Sequence, residues 1–312
     1  MLSRRNVRVK VMQVLYAQNR DEGLDQKSTV KEYWKKIDDS FDLLLFSVYN
    51  LISITKTATD DYEKRKSKHL PSDLDKIFTP KLWSNSMIQA LVKNKSLQQK
   101  FEKKNFAQRV DKDHFRTIYF EFSKEEPYLQ FLGKETSNDE NLEMLLELFR
   151  FCRRSELFNE IIEDQFANWE DDKSLIIGTI KKVLKALPAE DDDFYMEHYP
   201  DSETSKEYGE FLLLKTFTED KMLLNMIEPV LQNWDAERVA ILDMIMLKMA
   251  ICEFLYCPTI PTKVTLNEYV ELAKNYSTSK SKEFVNGILD KLLNDLQSKD
   301  LVKKEGRGLL DE

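Results

Sequence analysis

The start of the chain is rich in positive charge. Arg4, Arg5, Arg8 and Lys10 fall within the first ten residues, with no acidic residue among them. In a helix, Arg4 and Arg8 lie on one face because they are four residues apart. A guanidinium group is planar, donates several hydrogen bonds and stacks on bases, which suits it to RNA. The spacing therefore indicates a nucleic-acid-binding face, and an ordinary solvated chain end is the alternative that it leaves open.

A second candidate site lies near the other end, at 276–287, where the sequence is YSTSKSKEFVNG. Hydroxyl and backbone N–H groups at the start of a helix bind phosphates readily. Tyr276 and Phe284 could offer rings on which bases stack. Gly287, inside the predicted helix, costs about 1 kcal/mol relative to Ala, so we expect a packing or close-approach reason for it. A plain turn between helices with two core aromatics is the alternative.

A third feature is the predicted helix 235–256, which carries Asp243 and Lys248 among apolar residues. Five residues apart, the two side chains point about 140° away from each other around the helix axis. They therefore cannot share one stripe, and each is either a flank residue or a contact to a partner.

The sequence contains no pattern that is typical of catalysis or of cofactor binding. His69, His114 and His198 are far apart, and no paired-cysteine or histidine motif of a zinc site occurs. Glycine-rich phosphate-binding and dinucleotide-binding motifs are also missing. Cys252 and Cys257 are interpreted as small buried apolar residues. We therefore predict that the protein is not an enzyme and holds no metal or cofactor.

The composition limits where a binding site can be. With 47 Lys and Arg against 55 Asp and Glu, the net charge is −8, so any RNA site must be a local patch. Only 7 Gly and 8 Pro occur in 312 residues, which makes a fold rich in hairpins improbable. The three cysteines favour a reducing compartment, the cytoplasm. There is no apolar run long enough to cross a membrane and no secretory signal.

Most of the chain follows helical periodicity. Ser3 can cap a first helix that runs to about Gln18, and valines spaced three and four residues apart give it an apolar face. An acidic run between Pro188 and Pro200 predicts an exposed, mobile loop. We predict further helices at about 28–52, 81–94, 97–108, 111–123, 139–151, 154–167, 172–187, 205–218, 219–232, 235–256, 262–275 and 279–297.

Four segments together resemble the NusB family of bacterial transcription antitermination factors. One is the arginine-rich opening, SRRNVRVKVMQVLYAQ at 3–18. The other three follow in the order and spacing of the family: LQNWDAERVAILDMIMLKMAICEFLY at 231–256, IPTKVTLNEYVELAKNYS at 260–277 and KEFVNGILDKL at 282–292.

The resemblance implies an all-α fold of two packed three-helix bundles, interrupted after the first helix by a large helical insertion. The family-like domain would comprise residues 1–20 and 204–297. Residues 21–203 would be the insertion, which we can assign to no family, and 298–312 would be a frayed tail. An enlarged form of this kind is what we expect from the Bacteroidetes branch.

The resemblance also implies a function without catalysis. Members of the family bind boxA-type leader RNA together with a small-subunit ribosomal protein, NusE, and join an RNA polymerase antitermination complex that supports rRNA transcription. Both candidate ends would converge on one RNA-binding surface. The protein partner would contact Tyr16 and Asp243. RNA-binding roles carry over to Arg4, Arg5, Arg8, Lys248, Tyr276, Lys280, Ser281 and Phe284.

Three positions depart from the family pattern. Asn6 replaces the third consecutive arginine, and Lys248 stands where the family has arginine, which keeps the charge and loses the planar fork. Lys280 replaces an acidic residue and should strengthen the attraction for phosphate. Because of Asn6, Lys248 and the net charge of −8, the alternative is a helical protein-interaction scaffold with weak, non-specific RNA affinity.

Overall fold

The computed structural model describes residues 1–21, 23–231 and 238–310, and this part of the chain is helical without a β-strand. The predicted all-α class is confirmed. The α-helices are α1 Arg4–Arg20, α2 Gln26–Lys66, α3 Asp73–Ile77, α4 Ser86–Lys93, α5 Lys95–Lys103, α6 Lys112–Phe122, α7 Glu126–Leu132, α8 Asn138–Arg154, α9 Glu156–Glu163, α10 Trp169–Lys185, α11 Phe211–Thr218, α12 Asp220–Ile227, α13 Ile241–Tyr256, α14 Thr262–Tyr276 and α15 Ser281–Ser298.

Shorter helical segments complete the described chain. A π-helix runs over Glu203–Glu210 and leads directly into α11. Tight 3₁₀ turns cover Phe106–Gln108, Phe194–His198, Glu228–Leu231 and Gly306–Leu309. Residue 232 and residues 235–237, at the edges of two predicted helices, lie outside the described residues.

Helix α1 begins where the sequence predicts. Ser3 caps it, and the side chain of Asn6 accepts a hydrogen bond in return from the backbone N–H of Ser3, at 3.2 Å. This reciprocal capping box satisfies donors that a helix start otherwise leaves open. The valine face of the helix is fully buried.

The chain divides into two compact units. Unit 1 contains Met1 and Asp38–Tyr199, and unit 2 contains Leu2–Ile37 and the chain from Pro200 onward. The division falls inside α2, whereas the expected insertion starts at residue 21. The first part of α2 belongs to unit 2 because Tyr33 donates a hydrogen bond to the carbonyl of Ser205 in the π-helix, at 2.6 Å.

Unit 2 is built around α13, which is buried on most of its circumference. Helices α14 and α15 pack on α13 and on each other, α1, α11 and α12 also pack on α13, and the π-helix packs on α1 and α11. Arg8 of α1 contacts Glu253 near the end of α13, and Leu15 lies beside Ile245 near its start. Helices α1 and α13 therefore run antiparallel.

Unit 1 has its own core, to which the second part of α2 contributes a continuous series of buried residues. At the end of α2, Arg65 donates hydrogen bonds to Asp61 and Asp75, both at 2.9 Å, and its guanidinium lies 3.7 Å from the ring centroid of Phe78. These contacts fix the chain reversal after α2. Asn50 is fully buried in this core, and its side-chain amide has no hydrogen-bond partner among the described residues.

The end of the chain has defined contacts where the sequence led us to expect fraying. Lys304 donates hydrogen bonds to the carbonyls of Glu253 and Cys257, at 3.2 and 3.0 Å. The backbone N–H of Glu305 donates to the carbonyl of Pro258 at 3.0 Å. Residues 311 and 312 of the expected tail lie outside the described residues. The segment up to residue 310 is thus held against the end of α13.

Candidate nucleic-acid interface

The arginine-rich helix begins beside a buried charge centre. The guanidinium of Arg8 donates two hydrogen bonds to the carboxylate of Glu253, from Nε at 2.7 Å and from Nη2 at 2.8 Å. The hydroxyls of Tyr208, Tyr269 and Thr265 donate to the same carboxylate, at 2.6, 2.7 and 3.1 Å. The oxygens of Glu253 are therefore fully engaged.

Burial and charge act against each other in this centre. Burial disfavours the ionised form of Glu253, but Arg8 and the three hydroxyl donors outweigh it, so the pKa of Glu253 lies below its ordinary value. Burial alone would lower the pKa of Arg8, but the charge and hydrogen bonds of Glu253 together with Tyr208 and Tyr269 outweigh it, so the pKa of Arg8 is raised. Burial also raises the pKa values of Tyr208 and Tyr269, which therefore remain protonated donors.

The expectation that Arg8 forms part of an exposed ridge is corrected by this geometry. Only 3% of its side chain is exposed, and its donors face Glu253 and, at 3.5 Å, Glu268. A buried guanidinium needs a partner of opposite charge, and α13 supplies the carboxylate of Glu253 from 245 residues away in sequence. Arg8 thus holds α1 on α13 and presents no free surface to RNA.

Arg4 and Arg5 do reach the surface. Arg5 has 61% of its side chain exposed and forms a two-point pair with Glu268, at 2.8 and 2.6 Å. Arg4 lies 3.4 Å from Glu203, and its guanidinium is 5.5 Å from the ring centroid of Tyr208. The Arg4–Glu203 pair is open to solvent on both sides and contributes about 1 kcal/mol or less, whereas Glu268 is half-buried and holds Arg5 through two hydrogen bonds.

A hollow of about 300 Å³ opens beside Arg4. Aromatic rings form part of its wall, and two carboxylates lie among its lining residues, so it combines a guanidinium edge with negative charge. The lining residues are Arg4, Glu203, Glu207, Tyr208, Phe211, Tyr256, Cys257, Pro258, Thr259 and Ile260.

The hydroxyl-rich turn before α15 is folded inward. The Ser281 hydroxyl donates to Asp243 at 2.7 Å and contacts the hydroxyls of Ser277 and Thr278, at 3.0 and 2.8 Å. Ser281 and Asp243 are both buried. Ser281 and Asp243 thus bind each other and join the starts of α13 and α15, and the expectation that Ser281 binds RNA and Asp243 binds a protein partner stays a prediction.

The other candidates near this turn differ in exposure. Lys280 is exposed at the start of α15, whereas Tyr276 and Phe284 are half-buried and already engaged in contacts. Gly287 is exposed, and no atom outside its own helix lies within 4 Å of the position that a Cβ would take. The packing reason that we expected for this glycine is therefore missing.

Lys248 and Tyr16 lie at the same end of unit 2 as this turn. Lys248 pairs with Asp220, and only 12% of its side chain is exposed. Tyr16 is half-buried, with the guanidinium of Arg20 at 5.7 Å from its ring centroid. Lys248 lines a groove of about 410 Å³ between α1, α11 and α13, together with Leu15, Gln18, Asn19, Thr216, Phe217, Asp220, Val239, Ile241, Met244 and Ile245.

The structure does not bring all candidate residues onto one compact face. Arg4 and Arg5 lie near the end of α13, whereas Ser281 is bonded to its first turn. Asp243 and Glu253, which mark these two ends, are ten residues apart, or about 15 Å along the helix axis. The cause is the antiparallel arrangement of α1 and α13, and any RNA that touches both groups must span this distance.

Sequence reasoning missed the residues that complete the arginine end. Glu253, Glu268 and Tyr208 give each arginine its partner, and Lys304 closes the end of α13. The available signal for Glu253 was a carboxylate among the apolar residues that end α13. In the described part of the chain, no helix is long and apolar enough to cross a membrane, and no cluster of side chains is suited to hold a metal ion.

Comparison with known proteins identifies the family. The family model described as "NusB family" matches residues 170–294. A transcription antitermination protein NusB from Salinibacter ruber is 31% identical over 160 residues, which are 50% of this chain and 91% of that protein. The chain belongs to the NusB family. The matched region extends into α10, so the similarity to NusB begins before residue 204.

Other NusB relatives match shorter parts. The protein of Chloroherpeton thalassium is 51% identical over 79 residues, 25% of this chain and 37% of its own length. The protein of Natranaerobius thermophilus is 39% identical over 90 residues, 29% of this chain and 65% of its own length. The chain thus spans less than two thirds of these two relatives. No solved structure matches it significantly.

Proposed function

We propose that the protein is a non-enzymatic transcription antitermination factor of the cytoplasm. It would bind boxA-type leader RNA together with the small-subunit ribosomal protein NusE, and join an RNA polymerase complex that supports rRNA transcription. The observation that carries this proposal is the match over 91% of the Salinibacter relative, whose name is transcription antitermination protein NusB.

The arginine end of unit 2 supports an RNA-binding role. Arg4 and Arg5 project from the first turn of a capped helix, which Arg8 fixes to α13. Their carboxylate partners are on the surface or half-buried, and RNA phosphate can compete for both guanidiniums. We assign the primary RNA contacts to Arg4 and Arg5, with Lys280 as a more distant contact.

One observation favours the scaffold alternative. Glu203 and Glu268 already occupy the two exposed arginines, and this lowers the positive potential of the surface before RNA arrives. If these pairs persist, RNA binding is weak and independent of sequence, and unit 1 would carry the protein contacts instead.

The test compares two matched double variants. Arg4→Ala/Arg5→Ala removes the proposed contacts, whereas Arg153→Ala/Arg154→Ala removes two adjacent exposed arginines in unit 1. We expect the first variant to bind boxA-type RNA at least tenfold more weakly and with a smaller salt dependence. The second variant is the control, and it should bind the RNA as tightly as the parent protein. The measurement is fluorescence anisotropy with purified NusE present and absent.

The outcomes separate the candidates. Preference for boxA-type over scrambled RNA, lost only in Arg4→Ala/Arg5→Ala, supports the proposed function. Equal affinity for both RNAs, unaffected by NusE, would favour the scaffold. Unchanged boxA affinity in Arg4→Ala/Arg5→Ala would show that the RNA binds elsewhere.

A further inference from the structure

The segment 301–310 is built into the arginine end of unit 2. The ammonium of Lys304 donates to the carbonyls of Glu253 and Cys257, at 3.2 and 3.0 Å. These carbonyls belong to the end of α13, where backbone acceptors have no partner within the helix. The N–H of Glu305 adds a bond to the carbonyl of Pro258 at 3.0 Å. Three hydrogen bonds therefore hold the segment on α13 and the loop that follows it.

Two glycines make this close contact possible. A Cβ on Gly308 would lie 1.9 Å from the carbonyl oxygen of Pro258, so only glycine fits there. Gly306 has a φ of +52°, a conformation that other residues adopt at a cost. Arg307 lies between these two glycines, so the backbone on both sides of it has a defined conformation.

Arg307 differs from the other arginines at this end. Arg4, Arg5 and Arg8 pair with carboxylates of Glu203, Glu268 and Glu253. The side chain of Arg307 is exposed, and within the described ranges it forms no ion pair or hydrogen bond with another side chain. Among the residues that the structure describes, a phosphate that binds Arg307 therefore has no carboxylate to displace.

The position of Arg307 relates it to the proposed RNA surface. Gly308, its neighbour, touches Pro258, and Pro258 lines the same hollow as Arg4. Glu203 and Glu207 also line this hollow and repel phosphate, so an RNA backbone is favoured on the side of Pro258, which Gly308 touches.

We propose that segment 301–310 is part of the RNA-binding surface and that Arg307 binds a backbone phosphate of the RNA held by Arg4 and Arg5. This inference rests on the proposed function. It names the ligand as the phosphodiester backbone of single-stranded RNA, since a free, planar guanidinium binds phosphate through two parallel hydrogen bonds.

The test uses Arg307→Ala, with Lys303→Ala as the matched control. Lys303 lies in the same segment with 66% of its side chain exposed, and it already pairs with Asp300. We expect Arg307→Ala to weaken binding to boxA-type RNA about fivefold and to lower the slope of log K against log salt by about 0.7, the value for one phosphate contact. Lys303→Ala should match the parent protein.

A second variant tests the segment as a unit. Gly308→Val places atoms where the Pro258 carbonyl lies and must displace the segment, so it should lose as much RNA affinity as Arg307→Ala. If both variants bind as tightly as the parent and with the same salt slope, this inference fails while the proposed function stands. If the parent protein itself binds no boxA-type RNA with NusE present, the proposed function fails, and this inference with it.

Discussion

The hydroxyl oxygen of Tyr33 lies only 2.0 Å from the point that a Cβ atom on Gly209 would occupy, and Cγ1 of Val7 lies 2.4 Å from it. The π-helix thus approaches α1 and α2 so closely that its glycine leaves no room for a methyl group. The extra residue per turn of a π-helix often marks a functional position. Here it delivers Tyr208 to the carboxylate of Glu253.

Replacing this glycine should destabilise unit 2. We expect Gly209→Ala to lower the free energy of unfolding by about 1–3 kcal/mol, because Tyr33 and Val7 must move. Gly287→Ala is the matched control: the site is open, and the substitution should raise the stability by up to about 1 kcal/mol through helix propensity. Urea denaturation followed by circular dichroism measures both, and equal stability of the two variants would contradict the packing described.

The buried ion pair should behave as one unit. Removing a single partner, with Arg8→Met or Glu253→Gln, leaves the other group buried without its partner and should cost about 3–5 kcal/mol. The double variant should be less destabilised than the sum of the two single variants. Arg4→Ala, at the exposed pair with Glu203, is expected to change stability by less than about 1 kcal/mol. If the double variant lost as much stability as the two single variants together, the two side chains would not be coupled.

Stability should fall in acid through Glu253. Burial raises the pKa of Glu253, but the charge of Arg8 and the hydrogen bonds to the carboxylate lower it by more, so the pKa in the folded protein is below the ordinary value. The contribution of Glu253 to stability is therefore complete above the ordinary pKa of about 4.3. The contribution is lost as the pH falls from there through the folded pKa. Thermal melting between pH 7 and pH 3 should therefore show a steeper acid decline for the parent protein than for Glu253→Gln. Parallel curves would exclude Glu253 as the source.

Asn50 offers a stabilising substitution in unit 1. Its amide is buried without hydrogen bonds, which costs about 1–3 kcal/mol, so Asn50→Leu should raise the free energy of unfolding. Thr55→Val serves as the control, because the Thr55 hydroxyl donates to the carbonyl of Ile52 at 2.7 Å and its loss brings no such gain. A less stable Asn50→Leu protein would indicate that the core has no room for the larger side chain.

The sequence was a good guide to helices and a poor guide to the partners of charged residues. Local signals such as the Ser3 cap depend only on neighbours, and they predicted the start of α1 correctly. A proline in the first turn is compatible with a helix, so α7 forms around Pro127, in a stretch for which the sequence predicts no helix. The burial of Arg8 could not be predicted, because its partner lies 245 residues away.

The acidic run before Pro200 shows the same limit. Its composition predicted an exposed and mobile loop, but Phe194 and Tyr195 directly after it are buried in unit 1. Asn94 also donates to the carbonyl of Asp192 at 3.0 Å. The density of acidic residues correctly predicted that this segment is exposed. It gave no information on the buried aromatic residues that hold the end of the segment in unit 1.

Asn6 closes the capping box of α1 and is also the residue that interrupts the opening row of arginines. An arginine at this position would add one more positive charge for nucleic acid. It would also remove the side-chain amide that accepts a hydrogen bond from the backbone N–H of Ser3, which would destabilise the start of the helix by about 1 kcal/mol. The first turn of this protein therefore favours a firmly fixed pair of guanidinium groups over a larger but less ordered positive charge.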